Sequence, residues 1–243
     1  MIPLADNICN RRPPLVNYFL IGVNLVLFLW ELQLSVAGEI GDFLQSWGIV
    51  PGRISSVIAD ALASNNPAAL VALVLTSGSL FSAMFLHSSF SQIVGNLLYL
   101  FVFGKTVENV LGHGRYLLFY LTCGILTNIV QILVEPSLTV PLVGANGAIA
   151  AILGAYLLRF PKAKVESLLP LVIIFIPIEL PALFYLFWWF VQQVFYGIGS
   201  LNVPGGVNPM SVAYWAHGLG LLIGIGLLWA SDRFFTNAIN NEP

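Results

Sequence analysis

Apolar residues in this chain come in long runs separated by short polar stretches, with little of the alternation or striping of a soluble fold. The first run, Leu15 to Leu32, is interrupted only by Asn17, Asn24 and Glu31, and its length suits a tilted bilayer crossing. Residues 33–67 carry Glu39, Asp42, Arg53 and Asp60 among Gly, Pro and Ser. That stretch is too long for a bare connector, so it is expected to be structured. Ala68 to Gly104 is mostly apolar but broken by Ser77-Gly78-Ser79 and by His87-Ser88-Ser89-Phe90-Ser91-Gln92. It holds either two crossings, or one from about Phe81 with an interfacial helix before it.

Charge decides between these. With one crossing there, six helices are predicted, over 15–32, 81–103, 116–134, 144–160, 180–197 and 211–230, with an outer loop over 33–80. Arg11, Arg12, Lys105, Arg115, Arg159, Lys162, Lys164 and Arg233 then fall on one side, and the outer loops keep only Arg53. A seventh helix would carry Lys105, Arg115, Arg159, Lys162 and Lys164 outside. The positive-inside rule therefore favours six, with both termini cytoplasmic. Residues 165–180 are apolar but broken by Pro170 and Pro177, which suits a segment lying at the interface. The fifth helix is rich in aromatics, and an uncharged Gly/Pro/Asn loop at 197–209 leads into the sixth. No repeat or linker divides the chain, so residues 1–243 read as one all-α membrane domain.

Composition agrees with this reading. Hydrophobic residues make up 58% and charged residues 8%, against about 25% charged in a soluble domain. The net charge of −2 offers no basic field for nucleic acid. Cys9 and Cys123 are poor candidates for a disulfide or a metal site, and no metal-ligand set or phosphate loop is present, so no cofactor is expected. The first run follows Arg11-Arg12-Pro13-Pro14 and has no small-residue cleavage pattern behind it, so it reads as a retained helix. No intramembrane charge pair, inverted repeat or pair of broken helices argues for a transporter or channel.

Two polar residues stand among small ones where a membrane segment should be driest: Asn146 in Val143-Gly144-Ala145-Asn146-Gly147-Ala148, and His217 after Ala216. Polar groups at such depth mark functional sites by default. Gly144, Gly147 and Gly154 in the fourth helix, and Gly220 and Gly224 on the His217 face of the sixth, let two backbones approach closely. That would bring Asn146 and His217 together, either as a bonded packing pair or as a site. In the second helix Gln92 and Asn96 share a face four residues apart, with His87 at the outer entrance; they read as helix glue or as a pair of donors converging on an oxyanion. Glu108 is expected to pair locally with Lys105 and Arg115, Glu179 to meet interfacial water, and His113 to be a solvated turn residue.

The run Phe81-Ser82-Ala83-Met84-Phe85-Leu86-His87, then Gly95-Asn96, Phe103-Gly104, Val107-Glu108 and Leu111-Gly112, resembles the second-helix signature of rhomboid intramembrane serine proteases. Gly144-Ala145-Asn146-Gly147-Ala148 is similar to that family's G-x-S-x-G-type nucleophile motif. Ala216-His217-Gly218-Leu219-Gly220 with Gly224 resembles its A-H-x-x-G-x-x-x-G motif on the last helix. Met1-Ile2-Pro3-Leu4 with Asp6-Asn7, and Glu179-Leu180-Pro181-Ala182, look like bacterial members. The resemblance implies a six-helix rhomboid-like bundle in which His217 is the base and Asn96 an oxyanion donor. It also implies that the nucleophile serine is replaced by Asn146 and the oxyanion histidine by Gln92. A carboxamide has no hydroxyl for His217 to activate.

The preferred expectation is a pseudoprotease that binds transmembrane segments of other proteins, or serves as a subunit of a membrane complex, in a bacterial inner or other energy-transducing membrane. The alternative is an active intramembrane serine endopeptidase with another nucleophile, for which Ser88, Ser89 and Ser91 are the available hydroxyls.

Overall fold

The computed structural model describes residues 1–63, 67–171, 174–199 and 209–240. Most of the expected loop 197–209 therefore lies outside the described residues. The architecture is mainly helical. Strand β1 (Ile2–Asp6) precedes α1 (Leu15–Ala37), α2 (Ile40–Trp47), α3 (Pro51–Ala63), α4 (Pro67–Ser77) and α5 (Ser79–Ser82). A 3-10 turn (Ala83–Phe85) leads to α6 (Phe90–Tyr99), which runs through a π turn (Leu100–Gly104) into α7 (Lys105–Leu111). Next come α8 (His113–Val134), α9 (Asn146–Arg159), the hairpin β2 (Lys164–Leu171) and β3 (Ile174–Pro181), then α10 (Ala182–Gly199) and α11 (Pro209–Asn240). Among the described residues four stretches are long and apolar enough to cross a membrane: Leu15–Ala37, Pro67–Phe85, Phe90–Leu111 and His113–Val134.

The core is built around α9, in which every residue from Asn146 to Tyr156 is buried. Its 14 residues rise about 21 Å, short of the ~30 Å hydrocarbon thickness. The helix therefore begins inside the protein, and the irregular segment before it has to be satisfied by protein groups. Small residues allow this crowding. A Cβ on Gly220 would meet the Gly147 carbonyl at 2.4 Å, one on Gly224 the Ala151 carbonyl at 2.1 Å, and one on Gly154 the Leu221 carbonyl at 2.2 Å. Helices α9 and α11 thus touch main chain to main chain. Gly147 itself faces α8, where a Cβ would meet Thr127 at 2.4 Å.

Two expectations are corrected. The helix over 81–103 is not continuous: the chain turns extended at Leu86 and restarts at Ser89, whose hydroxyl caps α6 by accepting from the Gln92 N–H at 3.2 Å. The segment 165–180, apolar and broken by prolines, forms strands, and Ile2–Asp6 forms another. Order β1-β2-β3 makes one antiparallel sheet, so the fold is not purely α. Pro177 and Pro181 sit in the edge strand β3, and Pro170 lies past the end of β1, where no neighbour needs its missing N–H.

The polar groups of the N-terminal end of α1 are also more structural than expected. Glu108 is buried and accepts the N–H groups of Val16 and Asn17 at 3.0 and 2.7 Å, at the start of α1, where donors lack intrahelical partners and a carboxylate is favoured. It also takes His113 Nδ1 as a partner, so His113 is no free turn residue. Lys105 pairs with the buried Asp6 at 3.3 Å. Asp6 also accepts from Thr106 at 2.8 Å and Tyr156 at 3.0 Å, tying β1 to α7 and α9.

Gly224→Ala should lose about 1–3 kcal/mol of stability by forcing α9 and α11 apart. Gly226→Ala, where a Cβ meets nothing within 4 Å, should be neutral or better. Equilibrium unfolding of the two variants in mixed detergent micelles checks the contrast.

Candidate functional site

A cavity of about 530 Å³ opens between α6, α8, the segment 140–144, the start of α9, and the facing sides of α10 and α11. Asn146 and His217 both line it, as do Gln92 and Asn96. His87 does not. It is 2% exposed, with ring Nε2 3.1 Å from Asn96 Nδ2 and its backbone N–H held by both carboxylate oxygens of the buried Glu31 at 3.0 and 3.1 Å. The expected entrance residue is therefore a packed element behind the wall.

Asn146 is the first residue of α9 and 7% exposed. The chain reaches it through Gly144, at φ 124°, whose N–H donates to the Ala83 carbonyl at 2.8 Å. Only glycine fits there: a Cβ would come within 2.3 Å of Gln92 Nε2 and 3.2 Å of Asn146 Nδ2.

Gln92 spans the site. Its Nε2 donates to the Val143 carbonyl at 2.9 Å, and its Oε1 accepts from the Ser88 N–H at 2.9 Å and the Ser88 hydroxyl at 3.2 Å. Both ends of the amide are engaged, so Gln92 acts as a strut between the start of α6 and the start of α9. Asn96 turns its Nδ2 to His87. The serine hydroxyls are drawn into the same cap: Ser88 on Gln92, and Ser89 against both the Gln92 N–H and the Ser91 hydroxyl at 3.2 Å.

His217 has a partner that the sequence reading missed. Its Nδ1 lies 2.8 Å from Gln193 Oε1. The amide orientation follows from its other end, because Gln193 Nε2 faces the Trp189 carbonyl at 3.4 Å, and a carbonyl only accepts. Oε1 therefore faces the imidazole. That amide orientation favours a proton on Nδ1. Trp189 packs its ring edgewise against the imidazole, with centroids 5.4 Å apart. The available signal was Gln192-Gln193, a polar pair inside the aromatic helix. Asn128 and Gln131 were also missed. Both are buried on α8 and line the cavity, and Asn128 Nδ2 donates to the Leu80 carbonyl at 2.9 Å. Their three-residue spacing within an apolar run was the available signal. Glu179 carries an exposed ion pair with Lys164 at 3.1 Å, remote from this cavity's lining.

Chemically, the cavity offers an imidazole, several carboxamides and the hydroxyls of a helix cap. Among the described residues no cluster of His, Cys, Asp or Glu could hold a metal ion.

Residues 76–233 match the family model of the Rhomboid domain. The chain is 30% identical over 164 residues to Rhomboid-like protein 11, chloroplastic, of Arabidopsis thaliana, covering 66% of this chain and 55% of that protein. It is 38% identical over 78 residues to the putative rhomboid protease YdcA of Bacillus subtilis (strain 168), covering 32% and 39%. Against the human presenilin-associated rhomboid-like protein, mitochondrial, it is 32% identical over 116 residues, covering 47% and 28%. The matches thus span about half or less of these relatives' own length.

In the full chain in lipid, nitrogen-15 NMR of labelled histidine should find His217 protonated at Nδ1. Gln193→Leu should raise the share of the Nε2–H tautomer several-fold. A dominant Nε2–H form in the native chain would contradict the assigned amide orientation.

Proposed function

Since the chain belongs to the rhomboid family, we propose that it is a rhomboid-fold pseudoprotease, a membrane protein that holds transmembrane segments of other proteins without cutting them. The observation that carries this reading is the carboxamide of Asn146 at the position where the family motif has its serine. Covalent acyl transfer needs a nucleophile that a neighbouring base can deprotonate, and Asn146 has none. The engagement of Gln92 with Val143 and Ser88 supports the same reading, because a strut at the histidine position of the oxyanion site is turned to internal partners.

In this proposal residues 1–243 form one domain with six crossings and cytoplasmic termini, as the distribution of Lys and Arg favours. Helix α4 then lies at the outer interface. His217 and Asn96 keep the family's base and oxyanion positions, and the clients are transmembrane segments or the subunits of a membrane complex. The bilayer is bacterial inner or another energy-transducing membrane; relatives from Bacillus and those named for the chloroplast and mitochondrion fit that range.

A second reading, an active serine endopeptidase, is favoured by one observation: His217 lines the same cavity as the start of α9 and is held through Nδ1 by Gln193, as a positioned base would be. One assay separates the two. A transmembrane reporter reconstituted with the native chain should remain uncut, whereas Asn146→Ser combined with Gln92→His should cleave it at least tenfold above the native background. The same double variant carrying His217→Ala should be silent again. Cleavage by the native chain, abolished by His217→Ala, would overturn the pseudoprotease reading, and a fluorophosphonate label mapped to a serine would then identify the nucleophile.

A further inference from the structure

The β2–β3 hairpin has a feature that the cavity does not explain. No charged residue occurs from 167 to 178. At its base the hairpin alternates in the manner of a half-buried sheet: Lys164 and Glu166 are exposed, Val165 and Ser167 buried. Beyond Leu168, where β1 ends its pairing, this alternation stops. Ile174, Phe175 and Ile176 are 61%, 54% and 40% exposed in succession, so both faces of the outer hairpin present apolar side chains.

Its free edges are unusual too. The Ala182 N–H donates back to the Ala163 carbonyl, so in β3 the even positions turn their N–H towards β2 and the odd positions turn theirs outward. Pro177 and Pro181 are both odd. Pro170 pairs with Phe175 and so faces away from β3, past the end of β1. All three prolines of the hairpin thus stand where a free edge would otherwise expose an N–H. This disfavours the addition of a further strand, which would need those donors. It also lowers the number of unsatisfied donors that the edges would carry into an apolar medium, where each costs several kcal/mol.

We propose that the outer hairpin, through Pro170, Ile174, Phe175 and Ile176, is a membrane foot seated in the headgroup–acyl boundary of the leaflet at this end of the bundle. Beyond the ion-paired base, exposed apolar side chains resume. Strand β3 passes directly into α10, whose Leu183, Phe184, Phe187 and Trp188 are all exposed. The ion pair Lys164–Glu179 and the exposed Lys162 mark the water side. Four residues of strand, about 13 Å, carry the chain from Glu179 to Phe175, close to the 5–10 Å depth of interfacial segments. Edges that are only partly stripped of donors keep the foot at the boundary, since an open edge cannot enter the hydrocarbon interior.

The test is site-directed spin labelling of the full chain in vesicles of phosphatidylethanolamine and phosphatidylglycerol. Cys9 is replaced by serine, the buried Cys123 is left, and labels are placed singly at Phe175→Cys, Ile174→Cys and, as the water-level reference, Lys162→Cys. The foot predicts that collision with oxygen exceeds collision with a water-soluble nickel chelate several-fold at 174 and 175, with the reverse at 162. Equal nickel access at 162, 174 and 175 overturns the proposal. So does exclusion of both reagents at 174 and 175, or spin–spin broadening between copies, either of which would mean that protein covers the hairpin. The two tip positions guard against one label disturbing the strand.

Discussion

A backbone carbonyl or N–H at membrane depth has no water to fall back on, and every departure from regular helix must find a partner within the chain. This protein answers with carboxamides. Asn17 donates to the Leu100 carbonyl where α6 loosens into the π turn, at 3.0 Å. Asn128 serves the Leu80 carbonyl where α5 gives way to the 3-10 turn, and Gln92 serves Val143 just before the short helix α9. Three of the places where regular structure ends inside the bundle are met by an Asn or Gln, the break at 86–88 is met by the Glu31 carboxylate, and the cavity lies among them.

The end of the molecule that holds the first strand works with charge instead. Glu108 gathers the first N–H groups of α1, and Asp6 draws Lys105, Thr106 and Tyr156 around the first strand. These two carboxylates connect the beginning of the chain to α7 and α9, so that the opening segment and the element Glu179–Ala182, far apart in sequence, share one sheet. A carboxylate at a helix N-terminus and a shielded ion pair both strengthen where water is scarce.

Long apolar runs made the membrane class and most helix starts legible, because hydrophobic length is a property of the local sequence. Asn146 and His217 stood out for the same reason, as lone polar residues among small ones. The break at 86–89 was less plain, yet Ser89-Phe90-Ser91-Gln92 carries the S-x-x-Q pattern of a capping box, and Ser89 does cap α6. The sheet was hidden because the outer halves of β2 and β3 are prolines and aliphatics of no clear period, and β1 joins β2 only by pairing across more than 150 residues. Gln193 was overshadowed by its neighbours: in a helix dominated by Phe and Trp, the pair Gln192-Gln193 marks a polar spot but does not name the imidazole it will face.

The glycine contacts between α9 and α11 have a consequence for how such a site changes through time. Where two helices meet carbonyl against Cα, no rotamer intervenes between their axes, and the spacing from the start of α9 to His217 is fixed by main chain alone. The side chain at 146 then hangs from a frame that does not depend on it. Exchanging one residue there changes the chemistry the pocket presents while the main-chain frame around it stays in place.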